Sequence, residues 1–138
     1  MIFSWTYVSQ CIVPKDQQDG AVQDIVTVAL QRNELLKVTG CLVFTGTRFA
    51  QLIEGPRAGI AELQISIKAD KRHTDVTTVE EELVERRRFS EWSLAYAGPS
   101  VLVSRTIEEA LSKVHARKER NAQNWIRLME QFTSSTRH

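Results

Sequence analysis

The sequence predicts an α+β fold: one sheet with two helices on one face, followed by a C-terminal helical segment. Three observations predict it. Five short segments carry the β-branched and aromatic content of strands. Two longer segments between them place their apolar residues at helical spacing. The resulting order, strand-helix-strand-strand-helix-strand-strand, is the β-α-β-β-α-β-β order of a ferredoxin-like core with one extra strand.

Residues 2–9 form the first strand, with Phe3, Trp5, Tyr7 and Ser9 on one face and Ile2, Ser4, Thr6 and Val8 on the other. A polar connection from Pro14 to Gly20 follows. From about Ala21, Val22, Ile25, Val26, Ala29 and Leu30 recur as on one helix, which ends near Asn33 or shortly after. Val38–Thr45 and Arg48–Glu54 form a hairpin closed at Thr45-Gly46-Thr47. Gly55-Pro56 breaks the pattern, and a second helix carries Ile60, Leu63 and Ile67 to about Asp70. Val76–Leu83 and Trp92–Tyr96 complete the sheet. The basic run Arg86-Arg87-Arg88 between them reads as an exposed strand edge that resists aggregation.

Gly98-Pro99 closes this unit, so residues 1–98 are expected to be one domain and 99–138 a helical extension and tail. Thr106 is placed to cap a helix, with Glu108 and Glu109 in its first turn. Ile107, Leu111 and Val114 make one apolar stripe; Trp125, Leu128, Met129 and Phe132 make another. One long helix and two shorter ones both satisfy this pattern.

A chain of 138 residues buries roughly two-thirds of its unfolded surface and needs neither disulfide nor metal to hold a core. Cys11 and Cys41 lack a Cys-x-x-Cys spacing, which fits a reducing compartment. The N-terminus does not read as a signal peptide, and no stretch approaches the roughly 20 apolar residues of a membrane span. A cytoplasmic protein is expected. The net charge of +1 gives no reason to expect nucleic acid or acidic lipid as a partner. His73, His115 and His138 show no metal spacing, and no nucleophile triad or phosphate loop is visible.

A few polar residues sit where the pattern places apolar ones. Gln51 shares a strand face with Phe49 and Ile53, and a buried amide needs partners for two donors and an acceptor. In a ferredoxin-like core the first and third strands are neighbours, so Tyr7 and Gln51 can meet. A purely structural Tyr–Gln bond satisfies the same pattern. On the first helix Ile25, Ala29 and Asn33 form one face; the second presents Ile67 and ends in Asp70-Lys71-Arg72-His73. Two apolar helix surfaces flanked by a carboxamide and basic groups could hold a flat heteroaromatic ring with a phosphate tail. Simple packing of Ile25 on Ile67 is the other reading.

These residues together resemble the BLUF family of flavin photoreceptors. The matching segments are Tyr7-Val8-Ser9, Arg32-Asn33 with Val38-Thr39-Gly40, and Phe49-Ala50-Gln51-Leu52-Ile53-Glu54-Gly55. Ile67 with Asp70-Lys71-Arg72-His73 and Arg88-Phe89-Ser90-Glu91-Trp92-Ser93 continue the match, which covers about residues 1–97.

The resemblance implies a blue-light sensor rather than an enzyme, holding oxidised FAD between its helices, with FMN or riboflavin also accepted. It implies that Asn33, with Arg32 beside it, binds the polar edge of the isoalloxazine. Ile25 and Ile67 sandwich the ring, and Asp70, Arg72 and His73 lie towards the ribityl–phosphate end. It assigns the light-driven electron and proton transfer to Tyr7 and the rearranged hydrogen bonds to Gln51. Ser9, Trp92 and Leu94 are the expected signalling residues, and many family members have Met where this chain has Leu94. The expected partners are a separate downstream protein and a second copy of the chain. The competing expectations are a ferredoxin-like interaction module without flavin function and a flavin oxidoreductase.

Overall fold

The computed structural model describes residues 1–89, 94–98, 112–113, 115, 126–127 and 129–131. The elements are β1 (Ile2–Cys11), α1 (Gln18–Leu36), β2 (Thr39–Phe44), β3 (Arg48–Gly55), α2 (Arg57–Ala69), β4 (His73–Val84) and β5 (Ala95–Ala97). The predicted order and the placement of two helices on one face hold. The sheet runs β4-β1-β3-β2-β5, antiparallel except for the parallel β2–β5 pair.

Boundaries differ where the local chemistry misleads. α1 begins at Gln18 rather than about Ala21, because its first turn, Gln18-Asp19-Gly20, carries no apolar residue to announce it. β4 begins at His73 rather than Val76. Its start is irregular: the pairing with β1 shifts register twice, between Thr6 and Tyr7 and between Val8 and Gln10, and Asp75 has φ 54°. Such bulges re-aim side chains next to functional sites. β5 starts at Ala95, and Trp92 lies outside the described residues. The β2–β3 hairpin closes through Thr45 N–H to Arg48 O at 3.0 Å, with Gly46 at φ 101° in the two-residue loop.

Period-2 alternation divides the core. Under the helices lie Trp5, Tyr7, Val38, Ile53, Ile60 and Leu63 as one cluster, and Val22, Leu42, Phe44, Phe49 and Leu94 as another. The opposite sheet face presents Val8, Cys41, Val43, Ala50, Leu52, Ala95 and Ala97, covered by Phe89, Ile126 and Met129. Residues 112–113, 115, 126–127 and 129–131 are helical, and Met129 of the predicted stripe is fully buried beside Ile126, which the stripe omitted. Ile107, Leu111, Val114, Trp125, Leu128 and Phe132 lie outside the described residues. Among the described residues no helix is long and apolar enough to cross a membrane.

The basic run is not a strand edge. It follows β4 in a bend, and two of its arginines are fixed by distant partners. Arg87 donates to Lys37 O (2.7 Å), Thr39 Oγ1 (2.9 Å) and Glu54 O (3.1 Å), tying the end of α1 to the sheet. The backbone N–H groups of Arg88 and Phe89 both donate to buried Glu54 Oε1, while the Arg88 guanidinium reaches Glu82 at 3.0 Å and Glu80 at 3.5 Å.

Burial first, and then the neighbouring Glu82, push the Glu80 carboxyl up from 4.5 to about 7, against the opposing charge of Arg88. The folded protein therefore holds a proton that the unfolded chain has already released. The stability linked to that proton is fully present below the unfolded value near 4.5 and is lost as pH rises through about 7. Glu80→Gln keeps a donor for Glu82 without the charge. Urea midpoints between about pH 5.5 and 8 should fall with pH in the parent because of Glu80 and flatten in Glu80→Gln. Parallel midpoints for the two proteins would refute the buried proton.

Candidate functional site

β1 and β3 are adjacent, and their register places Tyr7 directly opposite Gln51. Both side chains point to the helical face. The Tyr7 hydroxyl donates to Gln51 Oε1 at 2.7 Å, a short bond within the buried core. Burial, and then the negative charge of Asp70, push the phenol well above its ordinary value of 10, so Tyr7 is a neutral donor throughout the physiological range. Gln51 Nε2 has no hydrogen-bond partner among the described residues, yet it is not an enclosed orphan: Gln51 lines an open cleft.

That cleft lies between α1 and α2, is floored by the sheet and opens to solvent at its mouth. Tyr7, Ile25, Arg32, Asn33, Gln51, Ile67, Asp70, Arg72 and His73 all line it. The cleft explains why so little of α1 is buried: only Val22 and Asn33 are, because the face towards α2 opens on the cavity. Asn33 is a carboxamide 1% exposed at the wall of an otherwise apolar surface formed by Ile25, Ala29 and Leu63.

At one end His73 is locked from both sides. One ring nitrogen, Nε2, lies 2.6 Å from Ile67 O, and since a carbonyl only accepts, Nε2 is the donor. The other, Nδ1, is 2.7 Å from Ser9 Oγ. The imidazole meets both Tyr7 and Phe49 edge-on, with centroids 6.1 Å apart in each case. Beside it Arg72 donates Nε and Nη2 to Asp70 (2.9 and 2.6 Å) and Nη1 to Asp24 (2.9 Å). The hydrogen bond from Arg72 holds the Asp70 carboxyl below its usual range despite partial burial.

Ser9 therefore touches the site through His73 rather than lining it. Leu94 packs with Leu42 and Phe49, which do line the cleft, so it stands one contact away. Sequence reasoning missed three contributors. Trp5 stacks on Tyr7 with centroids 4.7 Å apart and donates its indole N–H to Thr78 at 3.0 Å. Its place on the same strand face, two residues from Tyr7, was the available signal. Ser66 and Asp24 carry no such signal: Ser66 lines the cleft and accepts from Arg32 on the facing helix, while Asp24 does not line it and only pairs with Arg72. Among the described residues no group of His, Cys, Asp and Glu could hold a metal ion.

The chemistry of the cleft is that of a site for a planar, mostly apolar ring with a hydrogen-bonding edge. Apolar side chains from both helices form its walls, one buried carboxamide, Asn33, lies among them, and the Gln51 amide, whose oxygen accepts from Tyr7, stands next to a redox-capable phenol.

Comparison with known proteins agrees with that description. The family model described as BLUF, sensors of blue-light using FAD, matches residues 2–95. The photoactivated adenylate cyclase subunit beta of Euglena longa is 35% identical over 100 residues, covering 72% of this chain and 11% of that protein. The chain thus spans about a tenth of the length of that relative. The dark-state structure of BlrB, a BLUF protein, superposes with a TM-score of 0.79 at 26% identity, covering 97% of this chain and 96% of that one. The photo-activated state of BlsA gives the same TM-score at 21% identity, over 96% of this chain and 95% of that one, a likeness of fold alone.

Proposed function

Because the chain belongs to the BLUF family of blue-light sensors using FAD, we propose that it is a photoreceptor whose Tyr7–Gln51 pair converts light into a rearranged hydrogen-bond network. The observation that carries this reading is the 2.7 Å bond from the Tyr7 hydroxyl to Gln51 on the floor of the cleft. The residues present fit an oxidised flavin, either FAD or the smaller FMN and riboflavin. Ile25 and Ile67 would sandwich its ring, Asn33 would pair with its polar edge, and Arg32, Asp70, Arg72 and His73 would complete the surround.

When bound, a flavin supplies blue-light absorption and an excited state that accepts an electron. Tyr7 is the donor. Its phenol is buried and neutral, so loss of an electron must be accompanied by loss of its proton, and among the described residues its hydrogen bond leads to Gln51. The Gln51 amide has a donor end and an acceptor end. Rotation or tautomerisation exchanges which end faces Tyr7 and which faces the cleft. Recombination restores the Tyr7 proton and leaves Gln51 in its new arrangement.

The signal leaves through Ser9 by way of His73 and through Leu94 by way of its cluster with Phe49, while Trp92, the third residue assigned to signalling, lies outside the described residues. Residues 1–98 act as the sensor, and residues 99–138 form the helical extension that carries the output. The contact of Ile126 and Met129 with the sheet face opposite the cleft supports that division. In this reading the chain is a cytoplasmic signalling module, not an enzyme, and it acts on a separate protein or through self-association.

Flavin titration of the apo-protein tests the pocket. Asn33→Ala should leave the polar edge of the ring unpaired, at a cost of about 1–3 kcal/mol. Riboflavin affinity should then fall roughly 5- to 150-fold. An unchanged affinity would remove Asn33 from the site.

A further inference from the structure

The two arginines of the cleft are in opposite electrostatic situations. Arg72 is shared between two carboxylates, Asp70 and Asp24, with its Nε, Nη1 and Nη2 all donating to them at 2.9 Å or less. Within that cluster one guanidinium is shared by two carboxylates. Both nitrogens of His73 are engaged inside the protein, by Ser9 and by Ile67 O. A phosphate approaching there would meet two carboxylates and few unused donors.

Arg32 faces the same cleft from α1 and reaches across it to α2, donating Nη1 to Ser66 Oγ at 2.6 Å. Among the described residues it has no carboxylate partner. A guanidinium has five N–H donors, so four remain, and a serine hydroxyl that accepts from arginine still has its own proton to give. Arg32 is half-buried and its neighbour Asn33 is fully buried, so consecutive residues on α1 face the mouth and the interior of the cleft.

We propose that Arg32 and Ser66 form the phosphate subsite of the cleft, binding the 5′-phosphate group of FMN or the corresponding phosphate of FAD, and that the Asp24–Arg72–Asp70 cluster does not. This rests on the reading of the cleft as a flavin site. The planar fork of Arg32 suits two phosphate oxygens at once, and Ser66 adds a third donor. The chain then discriminates phosphorylated flavins from riboflavin by a contact that spans both helices.

Parallel titrations of the apo-protein with FMN and riboflavin test the assignment. The parent should bind FMN more tightly than riboflavin. Arg32→Gln should weaken FMN about tenfold to a hundredfold while moving riboflavin less than about threefold, since charge-assisted bonds to phosphate are lost and ring contacts are kept. Asp24→Asn supplies the control on the exposed rim: it frees part of Arg72, and should leave the FMN-to-riboflavin preference within about threefold of the parent. Equal losses for both flavins in Arg32→Gln, or a selective tightening of FMN in Asp24→Asn with no selective effect of Arg32→Gln, would overturn the subsite. Failure of the parent to bind either FMN or riboflavin would instead overturn the flavin reading, and the subsite with it.

Discussion

Replacing Tyr7 with phenylalanine is expected to leave a yellow protein that no longer undergoes a light-induced red shift. The substitution keeps the ring stacked on Trp5 and deletes one oxygen, so the core of a side chain that is 3% exposed is preserved. The hydroxyl loses a single hydrogen bond, to Gln51, worth about 1 kcal/mol of stability. The functional loss should be complete, because phenylalanine has neither a removable proton nor an accessible oxidation. Stability and function thus separate in one variant. A Tyr7→Phe protein that still cycled would show that another group, such as the stacked Trp5, supplies the electron.

Gln51→Ala is expected to have an equally large effect by a different route. Alanine removes the only described hydrogen-bond partner of the Tyr7 hydroxyl and the amide that faces the cleft. The walls formed by Ile25, Ile67 and Asn33 are untouched, so flavin should remain bound. Light should still oxidise Tyr7, but no side chain with distinct donor and acceptor ends remains to store the change. The variant should be yellow, quenched in fluorescence by Tyr7, and without a persistent red-shifted state. A normal light state in Gln51→Ala would place the stored change elsewhere in the network.

The pairing of Tyr7 with Gln51 was legible in the sequence because it follows from two short-range facts. Each residue's face is set by period-2 alternation, and the adjacency of β1 and β3 is set by the order of elements. The cleft was legible in the same way, from the helix positions Ile25, Asn33 and Ile67. What stayed hidden were contacts between charges far apart in the chain. Arg87 and Arg88 look like solvated surface until Lys37, Thr39, Glu54, Glu80 and Glu82 are seen around them. The basic appearance of Asp70-Lys71-Arg72-His73 is likewise offset by Asp24, 48 residues upstream of Arg72. Long charged side chains carry little local signal about their partners, whereas a buried strand residue has its direction fixed by the backbone.

The most direct test of the central claim is the light-minus-dark absorption spectrum of the purified parent protein loaded with FAD. The account predicts a yellow protein whose flavin bands move slightly to longer wavelength under blue light, without bleaching, and return in the dark. That pattern requires an unreduced flavin with altered hydrogen bonding, which is what a rearranged Gln51 delivers. A protein that binds no flavin, or whose flavin spectrum is unchanged or lastingly bleached by light, would contradict it.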